Sequence, residues 1–186
     1  MRRTSSHLKK IKFISSLFFI LVAVFYLAHE RFSLSRQDAG ENFVTVISVS
    51  DGDTVSVILD KRREKVRLIG IDAPELGQRP WGARAKKYLE TLLASSGWKV
   101  EPEFDVEKRD KYGRVLAYLR TTDGKMINLS MVKEGYAILF TVPPNVRHTG
   151  ELQAAQREAR EKHLGVWSAQ GLRERPADYR REHPRM

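Results

Sequence analysis

Three short constellations hold the residues of this chain best suited to chemistry. Asp51-Gly52-Asp53-Thr54 places two carboxylates two positions apart around a turn. Arg67-Leu68-Ile69-Gly70-Ile71-Asp72-Ala73-Pro74-Glu75 places a guanidinium inside an apolar run and two carboxylates three positions apart at its end. Asp110-Lys111-Tyr112-Gly113-Arg114 closes on a second arginine. Each is ordinary by itself: a hairpin turn, a charged strand rim, a turn before a strand. Gathered at neighbouring turns, they would give oxygen ligands to a hard cation of the calcium type and two planar cations to a phosphate, and leave a carboxylate to orient or deprotonate water. Such a set suits cleavage of a phosphodiester.

The rest of the composition narrows the choice. The 186 residues contain no cysteine, which removes thiolate metal sites, cysteine nucleophiles and disulfides. No Gly-x-Ser-x-Gly elbow occurs, and His148 and His163 lack a ligand-like spacing. With 41% hydrophobic and 30% charged residues the chain has the composition of a globular protein. Half of its net charge of +10 comes from Arg2, Arg3, Lys9, Lys10 and Lys12, so the body is moderately basic. That charge alone does not specify a polyanionic partner.

The elements that must position these residues follow from periodicity. Phe43 to Val49 and Thr54 to Leu59 are rich in β-branched residues and meet through Asp51-Gly52, which predicts a hairpin. Lys65 to Ile71 reads as a third strand, halted by Pro74. Trp81, Ala85, Tyr88, Leu89 and Leu92 fall on one face of a helix over 81–95, closed by Gly97. Two more strands are expected at Lys99 to Asp105 and Arg114 to Arg120, and a short helix from Ile127 to Glu134. A last helix runs to Lys162 with Thr149 as its N-cap. Five strands with helical supports predict an α+β fold, mainly a small β barrel.

Outside that domain the chain changes character. Phe13 to Ala28 carries no charge and would rise about 24 Å as a helix. The cations before it orient the N-terminus toward the cytoplasm. Tyr26 stands where a cleavage site needs a small residue, so an uncleaved signal-anchor is preferred to a cleaved signal, from which a secreted product would follow. The expected organisation is a basic N-terminus and anchor over residues 1–28, a polar stalk over 29–42, the domain over 43–169 and a basic, flexible tail over 170–186. The membrane would be met through the N-terminal segment, with the domain extracytoplasmic, periplasmic or extracellular. No obligate protein partner is inferred.

The joint pattern resembles the staphylococcal nuclease (thermonuclease) family. The resemblance spans about Val44 to Ser168: Asp-Gly-Asp-Thr at 51–54, Arg67-Leu68 with Asp72 and Pro74-Glu75 after it, Asp-Lys-Tyr-Gly-Arg at 110–114 before Leu116-Ala117-Tyr118, and Trp167-Ser168. It implies a five-stranded OB-fold barrel with about three helices. It also implies calcium-dependent hydrolysis of DNA and RNA, preferentially single-stranded, leaving 3′-phosphates. By the same resemblance, Asp53, Asp72 and the main-chain carbonyl of Ala73 would hold calcium. Glu75 would activate or orient water, Arg67 and Arg114 would stabilise the phosphate in the transition state, and Lys111 and Tyr112 would contact a terminal phosphate. Asp51 would shape the turn.

Three positions depart from the family pattern. Ala73 replaces a common threonine, and Phe140-Thr141-Val142-Pro143-Pro144 lacks two tyrosines of the base pocket, leaving Phe140, Tyr112 or Trp81 to stack on bases. The loop Leu76-Gly77-Gln78-Arg79-Pro80-Trp81 also differs. Two other readings use the same features: a barrel that binds nucleic acid without cutting it, and an envelope scaffold. Neither explains why two aspartates, a glutamate and two arginines are all present.

Overall fold

In the computed structural model, which describes residues 22–26 and 42–184, the β-branched runs form the expected strands. Strands β1 (Val44–Val49) and β2 (Thr54–Leu59) pair antiparallel around the acidic turn. Strand β3 (Arg62–Leu68) pairs with β2 and sets Thr54 opposite Arg67. It starts and stops three residues earlier than expected: pairing with β2 runs back to Arg62 opposite Leu59, and Gly70 adopts φ 79° and turns the chain out of the strand. That left-handed conformation costs a glycine little. The turn leads into a two-residue strand β4 (Ile71–Asp72), which the pattern did not reveal.

Helix α1 (Trp81–Ser95) follows, with Trp81, Ala85, Leu89 and Leu93 buried at four-residue intervals. Burying leucines such as Leu89 and Leu93 is worth about 1.5–3 kcal/mol each. Strands β5 (Lys99–Glu103) and β6 (Val115–Thr121) close the barrel in the order β1-β2-β3-β6-β5, with β3 and β6 parallel. Helix α2 (Ile127–Lys133) packs beside β6. A short strand β7 (Ile138–Leu139) pairs with β4 in a separate two-stranded ribbon.

Helix α3 (Thr149–Glu161) buries Leu152, Ala155 and Ala159; its N-cap is His148, with Thr149 the first helical residue. The carbonyl of His148 accepts from Leu152 N–H, while its ring contacts Glu103 and Glu151 at 2.7 and 2.8 Å. A single 3-10 turn at Gly165–Trp167 ends the region matched by the sequence motifs. The fold is therefore the α+β barrel that the sequence predicts, with one helix more than expected.

That helix, α4 (Pro176–Glu182), lies in the segment expected to be a loosely attached tail. Proline at its first position fits a helix start, Asp178 stands in its first turn and Arg180 and Arg181 in its last, the arrangement the helix dipole favours. The chain divides into two compact units, residues 1–42 and 43–186. The expected anchor and stalk fall outside the described residues, except for a helical stretch at 22–26 and Asn42 at the stalk's end. Among the described residues no helix is long and apolar enough to cross a membrane.

Candidate functional site

The acidic turn and the end of β3 meet at one end of the barrel. Antiparallel pairing brings Thr54 opposite Arg67, and Leu68 N–H donates to the carbonyl of Asp53 at 2.9 Å. The side chain of Asp53 then reaches across: its Oδ2 accepts from the main-chain N–H of Ala73 at 2.8 Å, and its Oδ1 accepts from Thr54 Oγ1 at 3.0 Å. Asp53 and Asp72 are both buried. Two buried carboxylates side by side would repel, and a cation between them offsets this. Arg67 supplies it, with Nη2 at 3.2 Å from both Asp53 Oδ2 and Asp72 Oδ1.

The turn itself is held from beneath. Asn128 of α2, fully buried, donates from Nδ2 to the carbonyl of Ile69 at 2.8 Å and accepts the Leu119 N–H at 3.0 Å. It fastens the start of the Gly70 turn to β6. The ribbon of β4 with β7 fixes Asp72 in register with Ile138. Asp51 accepts the N–H of Asp53 at 3.1 Å, consistent with a turn-shaping role. Burial, helped by the neighbouring Asp53 charge, pushes its carboxyl up to about 6. Burial also raises the Asp72 carboxyl, against the pull of Arg180 and Arg67.

Glu75 lies beyond Pro74, and its Oε1 accepts from Nη1 of Arg180 at 2.9 Å. Nη1 and Nη2 of the same guanidinium donate to Oδ1 and Oδ2 of Asp72 at 2.9 and 3.0 Å. Arg180 was not among the residues singled out by the motifs. Its position depends on residues more than a hundred places away in sequence, although the Pro176, Asp178 and Arg180 pattern of a short helix was visible.

The second arginine sits at its own turn. Parallel pairing puts Val115 beside Val66 and Leu116 beside Arg67, so Arg114 stands just before the strand, two positions behind the level of Arg67. Its Nε donates to Asp110 Oδ2 at 2.7 Å rather than joining the carboxylate cluster. Asp110 also accepts the N–H groups of Tyr112 and Arg114. Tyr112 is 72% exposed, with Lys111 and Arg114 placed over its ring at 5.1 and 5.6 Å. Of the expected stacking residues, Tyr112 and Phe140 are exposed, whereas Trp81 is buried and donates Nε1–H to the carbonyl of Gln170. Trp81 is thus a structural residue here.

Arg67, Asp53, Asp72 and Glu75 are brought together through Arg67 and Arg180, whereas Arg114, Lys111 and Tyr112 form a cluster of their own around Asp110. The donor set fits a hard cation by type: carboxylate and carbonyl oxygen, already neutralised by guanidinium groups seated against it. Among the described residues, no three acidic or histidine side chains are gathered as a complete metal cage.

Comparison with known proteins bears on the same region. The family model described as staphylococcal nuclease homologue matches residues 65–169. The chain is 38% identical over 133 residues to a thermonuclease of Staphylococcus intermedius, covering 69% of this chain and 77% of that protein. It is 33% identical over 141 residues to a thermonuclease of Staphylococcus hyicus, covering 73% and 82%. It is 35% identical over 135 residues to endonuclease YncB of Bacillus subtilis (strain 168), covering 69% of this chain and 63% of the relative.

Proposed function

Because the chain belongs to the staphylococcal nuclease family, we propose that its barrel is a calcium-dependent endonuclease that hydrolyses DNA and RNA and leaves 3′-phosphates. The observation that carries this reading is the convergence of Asp53, Asp72 and Arg67, joined through Arg180 to Glu75, at one end of the barrel. Asp53, Asp72 and the carbonyl of Ala73 would hold the ion. Bound there, calcium would neutralise phosphate charge and act as a Lewis acid.

The protein groups divide the remaining work. Arg67 spends Nη1 on the carbonyl of Leu68 and Nη2 on the aspartates, which leaves further N–H groups of its five for a phosphate oxygen. Arg114 uses Nε on Asp110, so both of its terminal nitrogens are available for the same phosphate. Glu75 accepts a proton from the attacking water, or orients it. The water oxygen bonds to phosphorus as the bond to the 5′-oxygen breaks, and that oxygen takes up a proton. Lys111 and Tyr112 contact a terminal phosphate, and exposed Tyr112 and Phe140 offer rings to unstacked bases, which favours single strands.

The cations and the uncharged run at the N-terminus support an anchor that places the barrel outside the cytoplasm, tethered to the membrane or secreted after cleavage. End-group analysis of a digested oligonucleotide tests the chemistry. Termini carrying 3′-phosphate and 5′-hydroxyl support it, and 5′-phosphate termini refute the assigned bond cleavage.

A further inference from the structure

The loop 76–81 and the basic C-terminal segment are partners. Gln78 Nε2 donates to the carbonyl of Glu174 at 2.9 Å, and Trp81 Nε1 donates to the carbonyl of Gln170 at 3.1 Å. Pro176 is buried, and Tyr179 lies so close over Gly77 that any Cβ at position 77 would collide with the tyrosine hydroxyl. The loop is a seat, and α4 is what sits in it.

Docking in that seat aims Arg180 at the carboxylates. Its guanidinium takes both oxygens of Asp72 and one of Glu75, the best geometry an arginine has for a carboxylate. The two acidic groups stabilise its charge in return, raising it above the ordinary arginine range against the cost of burial. A divalent ion on Asp72 needs at least one of the same oxygens. Arg180 and the ion therefore compete for Asp72.

The docked segment also carries an internal cost. Glu174 Oε1 is buried without a hydrogen-bond partner, a state that release to water would relieve. Arg180 keeps 38% of its side chain exposed, so it can leave without unpacking the barrel core.

We propose that α4 is an autoinhibitory latch. Arg180 closes the site by occupying the metal carboxylates, and calcium opens it by displacing that guanidinium and freeing the C-terminal segment. The proposal rests on the calcium reading of the site. Linkage makes the effect reciprocal: whatever undocks the latch tightens calcium binding, and calcium loosens the latch.

The test uses the full-length chain without nucleic acid and measures calcium affinity by titration calorimetry. Arg180→Gln should bind calcium on the order of tenfold more tightly than the parent chain. Gly77→Ala, which leaves every charge in place but unseats Tyr179, should move affinity in the same direction. In the parent chain, saturating calcium should speed tryptic cleavage at Arg173 and Arg181. Equal or weaker calcium affinity in Arg180→Gln overturns the latch while leaving the metal reading intact. Absence of calcium binding in both parent and variant overturns both.

Discussion

The main-chain N–H of Ala73 donates to Oδ2 of Asp53, 2.8 Å away and twenty residues earlier in the chain. That one bond ties the acidic turn between β1 and β2 to the residues following β3, and with Arg67 it holds two buried aspartates within reach of one cation. The site is a junction between turns, and its chemistry depends on keeping them in register.

Arg67 is the residue at that junction with least tolerance for change. Arg67→Lys keeps the charge but loses the planar fork that serves Leu68 and the aspartates and that the proposed mechanism also turns to a phosphate. Its turnover should fall by about 10²–10³-fold or more, with circular dichroism and unfolding midpoint close to those of the parent. Near-parental turnover would remove Arg67 from the transition state.

Glu75→Gln keeps size and hydrogen bonding while removing the carboxylate proposed to activate or orient water. Turnover should fall sharply while calcium affinity, measured by calorimetry, is retained. If affinity fell instead and turnover at saturating calcium were preserved, Glu75 would be a ligand rather than the group acting on water.

Asn128 shows how the fold serves the site. Asn128→Ala strands the Leu119 N–H and the Ile69 carbonyl in the interior. Each buried group left without a partner costs about 1–3 kcal/mol, so urea denaturation should show a loss of at least that size. An unchanged midpoint would mean that water or a local shift takes over both bonds.

The contact of His148 with Glu103 and Glu151 makes stability depend on pH. Burial opposes the imidazolium, but the two glutamates outweigh it and raise His148 above its ordinary 6.5. Burial likewise opposes charge on Glu103, yet hydrogen bonds from His148, Arg120 and Arg147 hold it at about 2 against an ordinary 4.5. The histidine contribution is complete below pH 6.5 and lost as pH rises through its folded value. The glutamate contribution is complete above pH 4.5 and lost as pH falls toward 2. His148→Gln should therefore destabilise most between about pH 4.5 and 6.5 and progressively less as pH rises above that window, read as the difference in urea midpoint. A difference independent of pH would leave only packing against Tyr118, whose ring meets His148 edge-on at 4.6 Å.

Much of this was legible before the structure. The β-branched runs marked β1 and β2, and the Trp81, Ala85 and Leu89 spacing marked α1 end to end. The acidic and arginine motifs named the residues of the central cluster, because turns between paired strands must lie at the barrel ends. What escaped has physical reasons. Strands as short as Ile71–Asp72 and Ile138–Leu139 carry no periodicity. Trp81 looks identical in sequence whether it offers a ring to bases or buries it against Gln170. Arg180 reads as one more surface charge until the chain returns to Asp72.

The proposed activity is cleavage of nucleic acid at a calcium site on Asp53 and Asp72. Its most direct test is digestion of single-stranded DNA by the full-length chain in millimolar calcium, after chelation, and after calcium is restored. Cutting, arrest and recovery are expected in that order. Substrate left intact in calcium, or cut at the same rate under chelation, would contradict it.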